Sequence, residues 1–507
     1  MNWLDKIIAE IAPGAGLQRA RQRLALDAVR QYEAARPGNR RIENWRRSDA
    51  GPRGEVEQGA PQLRRLVRDL LRNNGYARKA HAKLVSSTVG TGITGSVIRL
   101  ADGKPANGRL REGWARMVDD ADYLGEQDLN GLMLTGARAL FSDGDVIIRR
   151  YRTAFDANTR TPPVRFQVLE IDHLDTGKSS LLGGGDKGFI DRGIEYDAQG
   201  RKVALWLFPD HPANLSRVLR AKWESVKVPI GECLQVYDLL RPGQDRGVSP
   251  FSAAVMPLNE LAAYLDREAM RKNIEACLAG FISSPEPANM GGLQLGANTG
   301  TDENGNTTLE FVPGMIHRMK PGENFQAGPE PKVGDMGPFI KQMGFLAAAG
   351  VGVMFEHMTG DMSGVNYSSY RVGSFDFGQF AEQQQWQVLV PRMCQRMFGA
   401  GFIEASAALG LPGAAGAGLR WTPPRPITSP DPEKDARANK LELDMFQRSI
   451  SELAEERGWT LPELVERIKA DRALIATELG IDTMQLNALL AANTPAAAPA
   501  TEGTPNA

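Results

Sequence analysis

The stretch Thr359-Gly-Asp-Met-Ser-Gly-Val-Asn-Tyr-Ser-Ser-Tyr-Arg371 lies between two helical patterns and decides how the second half of the chain is read. Gly360, Asp361, Ser363, Gly364 and Asn366 cannot sustain a helix. Tyr367, Ser368, Ser369, Tyr370 and Arg371 then lead into the next one, with Ser368 or Ser369 available to cap it. Upstream, residues 337–358 form an apolar helix rich in Gly and Ala. Gly344, Gly350 and Gly352 each cost about 1 kcal/mol against Ala inside a helix, so close backbone approach is expected there. Downstream, a glutamine-rich helix spans about 374–397 and leads through the Pro-rich strand LRWTPPRPITSPDP to two C-terminal helices.

Working outward, residues 251–282 place Leu258, Leu261, Leu265, Met270, Ile274, Cys277, Leu278 and Phe281 at helical spacing, with charged residues on the other side. A Gly/Asn/Pro-rich segment with weak strand signals, 283–336, separates this helix from the one at 337–358. The first half has a different period. After an amphipathic helix beginning near Leu63, with an Arg-laden outer face, Asn73-Asn74-Gly75 stops one helix and Tyr76 opens another. A further helical stretch covers about Trp114 to Leu140. Short runs of period two follow: SDGDVIIRRY, VRFQVLEIDHL, GIEYDAQGRKVALWLF and ECLQVYDLL. In the third run, Ile194 and Tyr196 lead into Asp197-Ala198-Gln199-Gly200 and Val203, Leu205 and Leu207 lead out, which predicts a hairpin. The fold class is therefore α+β.

The chain has 507 residues, 42% hydrophobic and 24% charged, with a net charge of −1, so it has the composition of a globular protein and not of a basic nucleic-acid coat. The charge is uneven: residues 1–80 hold 17 Lys and Arg against 9 Asp and Glu. Residues 1–59 read as a basic arm without core periodicity, which faces something anionic, either nucleic acid or an acidic protein surface. The tail 491–507 lacks apolar mass and is expected to be disordered.

Chemistry-bearing motifs are scarce. The sequence lacks GxxxxGK[ST] and GxSxG, and its five histidines share no metal-ligand spacing. Gly90-Thr91-Gly92 and the GGGDKG at 183–188 read as turns, and Ser142-Asp143-Gly144-Asp145 as a hairpin connector. Cys233, Cys277 and Cys394 read as buried small hydrophobes. Met1–Pro13 has no basic region ahead of an apolar run, and the longest apolar stretch, Phe345–Phe355, is too short to span a bilayer. The expectation is thus no catalytic residue, no metal, no cofactor and no membrane. A soluble hydrolase or nuclease would need a site scattered along the chain.

The order of residues in GDMSGVNYSSYR resembles the portal proteins of the lambda type among tailed phages. The likeness extends to LVRDLLRNNGYARKA (66–80), GIEYDAQGRKVALW (193–206), VYDLLRPGQDRGVSP (236–250), AGFI (279–282) and PGMIHRMKPGE (313–323), all in family order. It covers about Leu63 to Arg371 and weakens toward Pro432. The resemblance implies a homo-dodecameric ring at one capsid vertex of the virion, assembled in the host cytoplasm, with double-stranded DNA passing through its channel. It implies as partners the terminase large subunit, the major capsid or scaffolding protein and head–tail connector proteins. Its plan assigns 60–250 to an α/β wing, 251–282 and 337–358 to a two-helix stem and 283–336 to a small β-containing clip. A tunnel loop would occupy 359–373, a long helix and return strand of the wing 374–432, and a helical crown 433–490. Thr359, Asp361, Ser363, Asn366, Tyr367 and Arg371 would then face the DNA channel, and Gly344, Gly350 and Gly352 would pack against neighbouring subunits. The alternative within virions is an adaptor or shell subunit, which lacks this order of elements.

Overall fold

A computed structural model describes residues 50–155, 161–181, 188–214, 224–277, 281–283, 299–301, 307–309, 317–319, 336–425, 432–457, 461–480, 482 and 484–485. It combines helices with small sheets. The chain divides into a unit ending at Glu55 and a larger unit starting at Val56.

The first helix, α1, runs from Pro52 to Asn73, which corrects the expected arm boundary at residue 59. Pro52 at the helix start costs no hydrogen bond. Gly54, Gly59 and Pro61 obscure the period in the sequence, yet Val56, Ala60, Arg64 and Val67 are all buried along one face. Arg64 therefore points inward, not to solvent. Asn74 separates α1 from α2 (Gly75–Thr88), its side chain accepting from Tyr76 N and Ala77 N. The helical stretch expected at 114–140 is two helices, α3 (Gly108–Asp119) and α4 (Leu129–Asp143). Asp122 accepts from Leu124 N and Glu126 N in the break, and Asp128 caps α4 through Gly131 N at 2.7 Å.

The period-two runs form two sheets. Strands β2 (Asp145–Arg152), β3 (Val164–Glu170) and β9 (Cys233–Tyr237) pair antiparallel in the order β3-β2-β9. Central β2 is buried on both faces: Val146 and Ile148 enter the main core, whereas Ile147 enters a second core. That is why its apolar run is continuous instead of alternating. The second core also holds Ile194, Tyr196, Leu205, Leu207 and Val228 of a five-stranded meander. Its strands are β4 (Ser180–Leu181), β5 (Phe189–Asp191), β6 (Ile194–Tyr196), β7 (Lys202–Leu207) and β8 (Val226–Pro229). The expected 194–207 hairpin is the β6–β7 pair. Strand β1 (Thr94–Arg99) pairs with β14 (Ala417–Thr422), tying the early helices to the returning chain. Phe281, expected on the helix 251–282, lies instead in a strand: β10 (Phe281–Ser283) pairs parallel with β13 (His317–Met319), and within 283–336 β11 (Thr299–Thr301) pairs antiparallel with β12 (Thr307–Leu309). The rest of that segment lies outside the described residues, as do the tail 491–507 and the basic arm before residue 50.

The helices flanking the quoted stretch depart from expectation in instructive ways. Helix α5 covers Val255–Cys277 and α6 covers Met336–Val351. They pack together, with the Tyr264 and Phe339 rings 4.5 Å apart between centroids. The expected single helix 337–358 ends at Val351, because Gly352 takes φ +84°; a separate short helix, α7, spans Phe355–Thr359. The close approaches at the glycines lie within the chain. A Cβ at Gly344 would sit 2.6 Å from the Phe355 ring, and one at Gly350 would sit 3.2 Å from the Ala253 and Ala254 backbone. Gly352, opposite Phe380, is required by its φ.

The glutamine-rich helix is longer than 374–397. It begins as α8 (Tyr367–Gln384), continues as a π-helical stretch from Gln385 to Gly399 containing Pro391, and ends as α9 (Ala400–Ala408). Buried Gln385 donates to the carbonyls of Thr88 at 3.0 Å and Pro424 at 2.8 Å, pinning this helix to α2 and to the returning chain. After β14 the described residues hold three helices, not two: α10 (Pro432–Asp444), α11 (Ile450–Glu455) and α12 (Leu461–Leu479). Ser449 and Glu452 form a capping box that restarts the helix at Ile450.

Candidate functional site

The interhelical stretch is shorter than 359–373. Thr359 closes α7, with its hydroxyl donating to Phe355 O at 2.9 Å, and Tyr367 opens α8. Only Gly360–Asn366 lies between helices. Asn366, not Ser368 or Ser369, is the cap, accepting from Ser369 N at 2.8 Å. Tyr367 and Arg371 thus sit on the first turns of α8, exposed. Asp361 accepts from Ser363 N at 2.9 Å, and hydrogen bonds from Ser363 hold its carboxyl below the usual range, helped by Lys341. Asp361, Met362, Ser363, Gly364 and Asn366 are all exposed.

Two cations that the linear sequence does not associate with this loop are brought to it. Lys79 of α2 abuts Gly360, where a Cβ would collide with its ammonium, and Lys341 of α6 approaches Gly364. Beneath the loop, buried His357 packs edge-on to Phe377 at 4.8 Å, and its Nε2 lies 3.4 Å from the Tyr370 hydroxyl. Burial, with Lys83 and Lys79 nearby, pushes its pKa down to about 4. A 410 Å³ cavity opens between α5, α6 and α7, lined by Leu261, Ile340, Gly344, Phe355 and Met358 and reaching Asp361.

The second conspicuous motif, RPGQDRGVSP, is a clasp. Gln244 accepts from Leu240 N and Arg241 N, both at 3.1 Å, and donates through its amide to Arg246 O. Arg246 donates to Asp145 at 2.8 Å; Gln235 donates to the same carboxylate at 2.9 Å. Ser249 donates to Phe141 O at 2.7 Å and accepts from Phe251 N. The acidic turn 142–145 is therefore not a hairpin connector. Asp143 ends α4, Gly144 takes φ +89°, and Asp145 starts β2.

Asp143 is held by α1, whereas Asp145 is held by the clasp, with Arg64 of α1 3.9 Å away. Arg68 pairs with Asp143, with Asp172 at 2.7 Å and with Glu170 at 3.1 Å; Arg64 pairs with Asp172 at 3.1 Å. Burial works against the Arg68 charge, but these carboxylates outweigh it and raise its pKa. Burial also opposes the Asp172 charge, yet Arg64 and Arg68 bring its pKa below the usual range. Glu170, Asp172 and His211 offer ligand atoms within 4.8 Å of one another, a grouping hidden in sequence by its 41-residue span. The Arg68 guanidinium already occupies the carboxylate edge of that group, so a divalent ion would have to displace it. Sequence reasoning missed this cluster because its partners lie 75 to 108 residues apart. Cys233 and Cys394 are buried, as expected of small hydrophobes, and burial pushes the Cys233 thiol up to about 12.

No described helix is long and apolar enough to cross a membrane. A probable portal protein of Halomonas phage phiHAP-1 is 26% identical over 455 residues, which cover 84% of this chain and 83% of that relative. Among solved structures, the neck of a native GTA particle computed with C12 symmetry aligns over 81% of this chain and 94% of the other, with 13% identity and a TM-score of 0.40. The virion of a native gene transfer agent particle aligns over 79% and 93%, with 13% identity and a TM-score of 0.38. The family model described as phage portal protein, lambda family, matches residues 38–385, a span that holds both the clasp and the loop. The chain belongs to the lambda family of phage portal proteins.

Proposed function

We propose that the chain assembles as a dodecameric ring at one vertex of a phage capsid, around the channel through which double-stranded DNA enters and leaves. In this reading the ring docks the terminase large subunit during packaging and head–tail connector proteins afterwards. It contacts the major capsid or scaffolding protein at its rim. The observation that carries the reading is the apolar surface left over on the paired helices α5 and α6. Met256 (64% exposed), Met270 (65%), Phe339 (45%) and Leu346 (55%) remain open after the two helices have packed on each other. A solvated monomer gains nothing from such a surface, whereas a neighbouring copy would cover it.

The loop 360–366 suits a conduit. Duplex DNA carries one charge per ~1.7 Å of axis, so a channel wall dense in Lys and Arg would hold it. The loop itself carries Asp361, neutral polar groups, Met362 and Val365, and no Lys or Arg. Energy for translocation would come from the terminase, since the chain carries no P-loop sequence. Native mass spectrometry and negative-stain microscopy of the full chain test the assembly. Rings with a central hole are expected; monomer alone at micromolar concentration across several salt concentrations would overturn it.

A further inference from the structure

On the opposite chemical footing from the loop, helices α1, α2 and α4 enclose an open groove of about 700 Å³. Arg65 and Arg72 come from α1, Arg78 from α2 and Arg138 from α4. All four are exposed. Among the described residues, Arg65, Arg78 and Arg138 pair with no carboxylate, and the nearest acid to Arg72 is Asp69 at 3.9 Å. The two acids on the groove wall, Asp143 and Glu170, are already held by Arg68. The groove is thus positive by several uncompensated charges in a chain whose net charge is −1.

We propose that this groove binds the phosphate backbone of nucleic acid, independently of sequence and of the channel. Guanidinium groups present paired donors that match phosphate oxygens, and four of them from three rigid helices form a fixed array. The lining favours phosphate over an acidic protein segment. Its only apolar members are Leu71, Ala139 and Val168, and it holds no Phe, Tyr or Trp of the kind that protein interfaces concentrate at their centres. Contacts with phosphate are polar and hydrated, and need none. Where the loop 360–366 suits sliding, this surface suits holding.

The test is fluorescence anisotropy of a labelled 20-base-pair duplex with the full-length protein, from 50 to 200 mM NaCl. Arg65→Ala, Arg78→Ala and Arg138→Ala combined should weaken binding at least tenfold at 50 mM. The slope of log affinity against log salt should fall by about 2–3, at ~0.9 per lost phosphate contact. The Lys-for-Arg triple variant, which keeps charge and fold, should retain most of that slope. Unchanged affinity and slope in the Ala variant would overturn the proposal. So would loss of binding to a labelled Glu-rich peptide with duplex binding intact. None of these substitutions touches α5, α6 or the loop, so ring assembly stands or falls separately.

Discussion

Arg246 Nε lies 2.8 Å from Asp145 Oδ2, and both side chains are almost wholly buried, at 8% and 1% exposure. This pair joins the start of β2 to a segment 101 residues later, and it anchors the clasp on which the sheet and α4 meet. Removing one partner leaves a buried charge without compensation, which typically costs about 3–5 kcal/mol. Arg246→Leu should lower stability by that order in urea unfolding. Asp145→Asn keeps an acceptor for Gln235 but leaves the buried Arg246 guanidinium without its carboxylate, so it should cost a similar amount.

Gly144 and Gly200 share a left-handed conformation, at φ +89° and +78°, but differ in surroundings. A Cβ at Gly200 meets nothing within 4 Å, whereas one at Gly144 would sit 2.5 Å from the Val248 carbonyl carbon. Gly200→Ala should therefore cost only the backbone penalty, roughly 1–2 kcal/mol. Gly144→Ala should cost visibly more in the same unfolding experiment, because the clasp must also shift. Equal losses would show that backbone conformation alone governs both positions.

What was legible in the sequence followed local rules. The β6–β7 hairpin was marked by Asp197–Gly200, and the α1–α2 junction by Asn73-Asn74-Gly75. The misses came from long-range pairing. Arg64 and Arg68 look like solvent-facing charges at helical spacing, and only the arrival of Asp143, Asp145 and Asp172 makes them interior groups. Gly352 looked like one more glycine inside an apolar helix, because a C-terminal cap and a packing glycine have the same letter. The loop's polarity was readable, but the Lys79 ammonium beside it comes from α2, far away in the chain, and Lys341 comes from a helix whose end the sequence did not mark.

His357 supplies a pH dependence of defined sign. Burial holds its folded pKa near 4, against an ordinary value of 6.5. Between those values the unfolded chain takes up a proton that the folded chain refuses, so stability falls as pH drops from about 6.5 toward 4. His357→Phe, which preserves the ring packing on Phe377, should flatten that part of the melting-temperature profile. A profile identical to wild type would show that other groups carry the acid sensitivity.

Asn366 caps α8 through Ser369 N, at the point where the loop hands over to the long helix. Asn366→Ala should cost about 1 kcal/mol, and Asn366→Ser much less, since serine also caps. Hydrogen exchange should locate the loss at the first turn of α8, with the π-helical stretch unaffected. Loss of protection throughout Gln385–Gly399 would mean that the cap and the distal helix are one cooperative unit.

The loop itself provides the sharpest test of the channel reading. Asp361→Lys with Ser363→Lys removes one acid and adds two cations per chain beside Lys79 and Lys341. A twelve-membered ring would then present about 24 new positive charges to a duplex bearing a phosphate every ~1.7 Å of axis. Assembly should be unchanged, because residues 361 and 363 are exposed and lie on the loop, not on α5 or α6. Salt-sensitive DNA affinity should rise, and packaging into purified proheads with terminase and ATP should slow or stall. An exposed loop on the outer surface would tolerate the same lysines at almost no cost. Wild-type packaging by rings carrying both substitutions would therefore remove this loop from the DNA path.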